Sequence, residues 1–326
     1  MFNRKNLVLL SILTIAGVLL LALTYRSEQP AKKGGKGAYP LRLEDSYQRV
    51  VTLDRKPERI VSVAPNITEI IFALGKGGLL AGRTEYCDFP PEARKVASIG
   101  SLLEPNIEKI IALNPDIVIA STHFQKEVLK KLEGLGVKVA VLYGAEDFEG
   151  VYFTIAQVGR IVGADARADK LIAGMKRKVR AITGRVRGRP RPRVYYVMTF
   201  GKTGDYTAGG DTFLGKMLAM AGGANVAGES KGWQYSLEKL VEQDPDYIVC
   251  AKSYASLEAL RHASGYRELT AVKAGKVLEI DNNLLDRQGP RLVEGLETLA
   301  RFLHPEAFTG GRHETEGERR GNRDDL

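Results

Sequence analysis

One segment of this chain occurs twice, 130 residues apart, and that repetition limits the fold more than any other feature. Asn106-Ile107-Glu108-Lys109-Ile110 leads into Asn114-Pro115-Asp116-Ile117-Val118-Ile119. Ser236-Leu237-Glu238-Lys239-Leu240 leads in the same way into Asp244-Pro245-Asp246-Tyr247-Ile248-Val249. Each copy reads as a short helix, a Pro-Asp turn and a buried strand. Self-similarity at a fixed offset marks one structural unit used more than once.

The flanking elements correspond too. Arg59 to Ala64 is an apolar strand, followed by Pro65, Asn66 and a helix over Thr68 to Leu74 that Gly75 ends. Arg193 to Phe200 is its counterpart, followed by a Gly-rich loop and a helix over Thr212 to Ala221 that Gly222 ends. Glycine just past a helix suits the left-handed C-cap. After each repeat comes a further helix and strand, Lys138 to Leu142 matching Lys276 to Ile280. Strands that alternate with helices, as apolar runs, imply parallel sheets covered on both faces. The sequence therefore predicts an α/β fold of two Rossmann-like lobes, residues 59–163 and 193–308, with a ligand cleft between them.

Residues 164–192 join the lobes as a single long backbone helix. Asp165 is placed as its N-cap. Leu171, Ile172, Met175, Val179 and Ile182 share one stripe, and charges take the other side. Arg189-Pro190-Arg191-Pro192 stops it. From Arg160 to Arg193 there are 12 Lys or Arg against Asp165 and Asp169, so the remainder of a chain of net charge +9 is close to neutral. A basic run without interleaved aromatics reads as a solvated helix face with an affinity for anionic lipid, not as a nucleic-acid surface.

Arg4 and Lys5 precede an apolar run from Leu7 to Leu23. Residues 1–26 are thus a signal peptide or an N-terminal membrane anchor, which puts the body outside the cytoplasmic membrane. Residues 27–58 are a tether and lead-in, and 309–326 a disordered tail. Cys87 and Cys250 fall in different lobes and are not expected to pair.

Ligands of open parallel sheets sit beyond the carboxyl ends of the strands. The loops there carry Pro65, Asn66, Tyr86, His123 and Tyr143 in the first half, and Tyr206, Tyr254, Asp286, Arg287 and Arg291 in the second. Trp233 precedes the second repeat helix, where the first has Leu102, Leu103 and Glu104. Aromatics supply contact area, and sparse polar groups fix orientation. Arg287 and Arg291 suit a carboxylate or phosphate, or Arg287 pairs with Asp286 and holds its loop. His123 lacks the companion His, Cys or Glu of a metal site, so no metal or cofactor of the chain's own is expected. There is no Gly-x-Ser-x-Gly, no P-loop and no Gly-x-Gly-x-x-Gly after the first strand, so the chain reads as a binding protein and not an enzyme. Glu108 and Glu238 stand alike in the first turn of the two repeat helices, where the helix dipole favours a carboxylate. Two acidic knobs, one per lobe, could also engage two copies of a basic site on a symmetric membrane partner.

With these residues in view the chain resembles the class III periplasmic binding proteins, the cobalamin and iron-siderophore receptors of ABC importers. The resemblance spans Arg59 to Pro305 and rests on Ser62–Gly75, Tyr86–Pro91, Asn106–Ala120, Ser236–Val249 and Asp286–Leu292 together. It implies a rigid cleft, and a glutamate on each lobe, Glu108 and Glu238 here, that docks on arginines of a permease dimer driven by a separate ATPase. It implies a monomeric receptor for a small metal chelate. The Tyr86-Cys87-Asp88-Phe89-Pro90-Pro91 stretch and the Asp286-Arg287 loop place it nearest the cobalamin branch, with Tyr86, Tyr206 and Trp233 at or beside corrin-facing positions. Leu102 or Leu103 and Leu284 stand where an aromatic is expected. A ferric siderophore, met by Arg287, Arg291 and Trp233, or haem, with Tyr86 or His123 as iron ligand, is the alternative cargo. An anchored sensor without a transport role is the alternative function.

Overall fold

In the computed structural model, residues 39–201, 205–253 and 255–311 are described. The apolar run 7–23, residues 27–38 of the tether, Tyr254 and residues 312–326 of the tail lie outside them. Among the described residues no helix is long and apolar enough to cross a membrane.

The chain enters through an antiparallel hairpin, β1 (Leu41–Glu44) and β2 (Val50–Leu53), from a segment assigned by sequence to the lead-in. Leu41, Leu43, Val51 and Leu53 are buried, the alternation of a strand with one wet face. The first lobe then runs β3 (Ile60–Ser62), α1 (Pro65–Ala73), β4 (Leu80–Arg83), α2 (Ile107–Ala112), β5 (Ile117–Ala120), α3 (Lys126–Gly134), β6 (Val139–Val141) and α4 (Phe148–Ile161). A long helix α5 (Asp165–Val186) follows. The second lobe runs β7 (Arg193–Val197), α6 (Phe213–Met220), β8 (Ala224–Asn225), α7 (Leu237–Gln243), β9 (Tyr247–Ala251), α8 (Leu257–His262), α9 (Thr270–Lys273), β10 (Val277–Ile280), α10 (Asn283–Asp286) and α11 (Leu292–Leu303).

Both sheets are parallel and four-stranded, in the orders β4-β3-β5-β6 and β8-β7-β9-β10. Position for position these are one topology, as the repeat predicts. The likeness extends to single hydrogen bonds. Asp116 accepts from the backbone N–H of Arg59 at 2.9 Å, and Asp246 from that of Arg193 at 2.7 Å. The Arg59 guanidinium donates to the Leu113 carbonyl at the end of α2, and Arg193 to the Gln243 carbonyl at the end of α7. Each arginine thus satisfies an orphan carbonyl that the helix leaves open. Asn114 and Asp244, at the same place in the two turns, are left-handed with φ of 44° and 40°. Short polar side chains tolerate that region best.

Partial burial would raise the carboxyl pKa of Asp116, but hydrogen bonds from Glu58 and Arg59 bring it below the usual range. The Arg193 hydrogen bond does the same for Asp246. A depressed folded-state pKa contributes stability that is complete above the unfolded value and is lost as pH falls through the folded one. Stability should therefore drop from about pH 5 downward. Asp116→Asn with Asp246→Asn should flatten part of that drop in urea titrations. An unchanged acid limb would contradict this assignment.

Helix α5 has Ala164 at its N-cap, and Asp165 is its first helical residue. Asp165 therefore acts through the helix dipole and not as the capping side chain expected from sequence. Met175 and Ile182 of the predicted stripe are buried, with Ala168 and Val186, while Leu171, Ile172 and Val179 are half-buried. At 22 residues the helix spans about 33 Å. It packs on α4 and α11, and one apolar core runs from Ile60 and Ile67 through Met175 and Ile182 to Val194, Leu218 and Leu296. Gly75 and Gly222 end α1 and α6 with φ of 67° and 87°, as their C-cap reading requires. Cys87 and Cys250 are both buried and unbridged.

Candidate functional site

The strand order reverses between β3 and β5 in one sheet and between β7 and β9 in the other. Loops leaving such neighbours in opposite directions open a crevice. A cavity of about 630 Å³ lies there, between the lobes. Pro65 and Asn66, the first residues of α1, line it just beyond β3, and Ser121, Thr122 and His123 from the turn after β5. Met198 follows β7, and Asp211 to Leu214 lead through the Thr212 N-cap into α6. His123 has φ of 65° and is exposed. Tyr86 and Trp233, 52% and 40% exposed, contribute aromatic surface.

Of the residues singled out by sequence, Pro65, Asn66, Tyr86, His123, Trp233, Asp286 and Arg287 line this cavity. Leu103 does not; its neighbour Leu102 does, and Leu103 is 55% exposed. Tyr143 lines two separate depressions beside the hairpin, its ring edge-on to Tyr47 at 6.3 Å. Tyr206 pairs its backbone with Thr199 and Gln234 and is not part of the cavity wall.

The arginines have partners of their own. Arg287 donates to Glu69 at 3.0 Å, to Asp88 at 2.7 Å and to the Tyr86 carbonyl at 3.1 Å. Arg291 grips Glu69 with two hydrogen bonds, 2.9 and 2.7 Å, and its guanidinium lies over the Phe89 ring at 3.8 Å. Arg287 therefore does not pair with Asp286, the partner suggested by sequence proximity. Asp286 instead accepts from Asn282 at 3.0 Å, and burial pushes its carboxyl pKa up. Glu69, buried on α1, was not singled out by sequence. The signal was present: a carboxylate between Ile67 and Ile70 on an apolar helix needs a partner.

These contacts cross from lobe to lobe. Gln288 adds two more, its carbonyl accepting from Asn66 at 3.4 Å and its side chain donating to Glu146 at 3.1 Å. Lys216 donates to the Glu146 carbonyl at 2.7 Å. In the cavity wall Asn282 is buried, and its Oδ1 has no hydrogen-bond partner. Among the described residues, no group of three or more His, Cys, Asp or Glu is placed to hold a metal ion.

Glu108 and Glu238 are exposed, each in the first turn of its helix. Asn106 and Ser236 cap those helices by accepting from the N–H of Lys109 and Lys239. The Ser236 hydroxyl also donates to Glu238, which holds that carboxyl below its usual pKa.

A periplasmic binding protein family model matches residues 60–284. An uncharacterized ABC transporter substrate-binding lipoprotein of Bacillus subtilis is 31% identical over 313 residues, 94% of this chain and 99% of its own length. A cobalamin-binding protein of Halobacterium salinarum is 32% identical over 82% of this chain and 75% of its own length. Among solved structures, the periplasmic heme-binding protein RhuT of Roseiflexus in apo form superposes with a TM-score of 0.70 at 27% identity, over 77% of this chain and 99% of that one. The two-lobed parallel fold, the duplicated helix-turn-strand unit and these relatives agree: the chain belongs to the periplasmic binding protein family, as a substrate-binding protein of the ABC-importer type.

Proposed function

We propose that the chain works outside the cytoplasmic membrane, captures cobalamin or a related corrinoid in the cleft, and delivers it to a dimeric ABC permease and its ATPase. The observation that carries the choice of ligand is the charge of the cavity. Among the described residues, Arg287 is the one Lys or Arg in its wall, and Glu69 and Asp88 already neutralise it. Glu146, Asp211 and Asp286 line the same cavity. A highly anionic ferric catecholate would find no free counter-charge there, and desolvating it unpaired would oppose binding. A corrin ring bears carboxamides on its rim, and these suit such a wall. The free Oδ1 of Asn282 is a ready acceptor for an amide N–H, and Tyr86 and Trp233 offer faces to a flat macrocycle. The cobalamin-binding relative from Halobacterium supports the same cargo.

Haem is the second reading. Tyr86 and His123 line one cavity, and either could approach an iron axially. Mixing the purified chain with cobalamin, haem or a ferric siderophore, desalting, and recording the visible spectrum separates these. A retained stoichiometric corrinoid spectrum is expected. Trp233→Ala should then weaken cobalamin binding by about 30-fold, the scale of a large aromatic anchor. Retention of haem alone would move the ligand and keep the fold's role. Retention of none by a folded chain would remove the ligand class.

A further inference from the structure

The outward side of α5 is a row of cations without counter-charge. The acids of the helix, Asp165 and Asp169, fall in its first five residues, and none follows from Lys170 to Val186. Lys170, Arg177, Lys178, Arg180 and Arg185 are all exposed. Among the described residues none of these five forms an ion pair, whereas Lys176 on the flank pairs with Glu149 at 3.0 Å. Residues three, four and seven apart share one side of a helix. Lys170 and Arg177 therefore stand in line, and the outward positions around them are small: Ala166, Ala173, Gly174 and Ala181. A low surface of this kind lets several charged ends reach one plane.

A second group extends this face past the start of α5. Arg167 donates to the Leu74 carbonyl at 3.0 Å, which brings it beside Gly75 at the end of α1. Lys76 follows there, and Lys56 lies against Gly163. The charge of Lys56 holds the Lys76 ammonium below its ordinary pKa, with burial and Arg167 adding to the effect. Among the described residues these three also lack a carboxylate partner. Cations gathered in this way attract an anion from outside. The chain itself arrives at the same place: the Tyr39 hydroxyl donates at 2.8 Å to the carbonyl of Ile161, four positions before α5 begins. Fifteen residues, 24–38, separate Tyr39 from the apolar run 7–23, a length that reaches at most about 50 Å. They hold Arg26, Lys32, Lys33 and Lys36 against Glu28. The C-terminal tail is a poor cover for this face, because residues 312–326 carry five carboxylate side chains against four arginines.

We propose that the outward side of α5, with Lys56 and Lys76, is a resting surface for the anionic phospholipid headgroups of the membrane that holds the N-terminal run. Phosphodiester oxygens accept from guanidinium and ammonium donors, and the attraction of several such cations to an anionic bilayer adds up. A tether makes the encounter intramolecular, so a contact too weak for a free protein suffices. No residue of α5 lines the cavity, so lipid contact leaves the cleft free to load. The proposal rests on the reading of an anchored chain outside the cytoplasmic membrane.

The test places the full-length chain in vesicles of phosphatidylcholine, alone or mixed with phosphatidylglycerol, with a dye on Ala173→Cys read by a lipid-borne quencher. Cys87 and Cys250 are buried, so the dye reports its own position. Quenching should be strong with phosphatidylglycerol, weak without it, and lost at high salt. Lys170→Gln with Arg177→Gln and Lys178→Gln should lower the ratio of lipid-contacting to free-standing molecules about tenfold or more. Thermal unfolding and cobalamin retention of that variant should match wild type. Equal quenching in both lipids, none in either, or an unaffected triple variant would overturn the proposal. Flotation with phosphatidylcholine vesicles reads the anchor separately. A chain that floats only with anionic vesicles has no anchor, and loss of that flotation in the triple variant would still assign the face to lipid. A DNA duplex that abolishes the quenching at equal phosphate would reassign the face to nucleic acid.

Discussion

Replacing Glu69 by Gln should cost the fold about 3–5 kcal/mol, the scale seen when one partner of a buried ion pair is removed. Its side chain is 2% exposed, and those of Arg287 and Arg291 are 10% and 13% exposed. Gln keeps the volume but removes the charge that both guanidiniums share. Asp88 can still serve Arg287, but Arg291 keeps no carboxylate, only a neutral amide oxygen and the face of Phe89. The midpoint of urea unfolding, followed by circular dichroism, should fall well below wild type with little change in slope. A loss under about 1 kcal/mol would mean that the cluster behaves as an exposed pair. Arg291→Met in the same background should recover part of the loss, because it removes the unpaired charge.

Reversing both knobs, Glu108→Arg with Glu238→Arg, should lower uptake more than about 100-fold, since like charges brought together at an interface cost several kcal/mol. Both residues are exposed and neither lines the cavity, so cobalamin affinity should stay within about twofold of wild type. Each single reversal leaves one lobe able to engage and should fall between. Normal transport by the double variant would show that docking uses another surface.

The repeat made most of the fold legible. Two sheets of one topology, their glycine-capped helices and the Arg-Asp clasps all follow from segments that can be aligned by eye. The linking helix was legible from its stripe, though not its first residue. At the site, the loop rule led to cavity residues after edge and central strands alike: Tyr86 follows β4, and Asp286 and Arg287 follow β10, whereas Tyr206 after central β7 stays outside the wall. Pro65, Asn66 and His123 follow β3 and β5, beside the switch point, and line the cavity. Tyr143 follows β6, an edge strand, and the same rule put it in the inventory although its loop lies under the hairpin. The hairpin itself left a period-two signal in Leu41, Leu43, Val51 and Leu53 that a Lys- and Gly-rich approach obscures. Glu69 shows the deeper limit. Sequence could show that it needs a partner, but its partners lie 218 and 222 positions away, and only the closed fold brings them together.

The apolar core runs unbroken from the first sheet through α5 to the second, and ion pairs tie the lobes at Glu69, so the proposed docking residues Glu108 and Glu238 would keep one spacing in loaded and empty receptors. On the proposed docking, an empty molecule would occupy a permease as readily as a full one. Import becomes a contest for berths: raising receptor numbers speeds influx while cargo is plentiful, and slows it once vacant carriers crowd the queue. A cell using such a receptor gains most by matching its abundance to the supply of ligand.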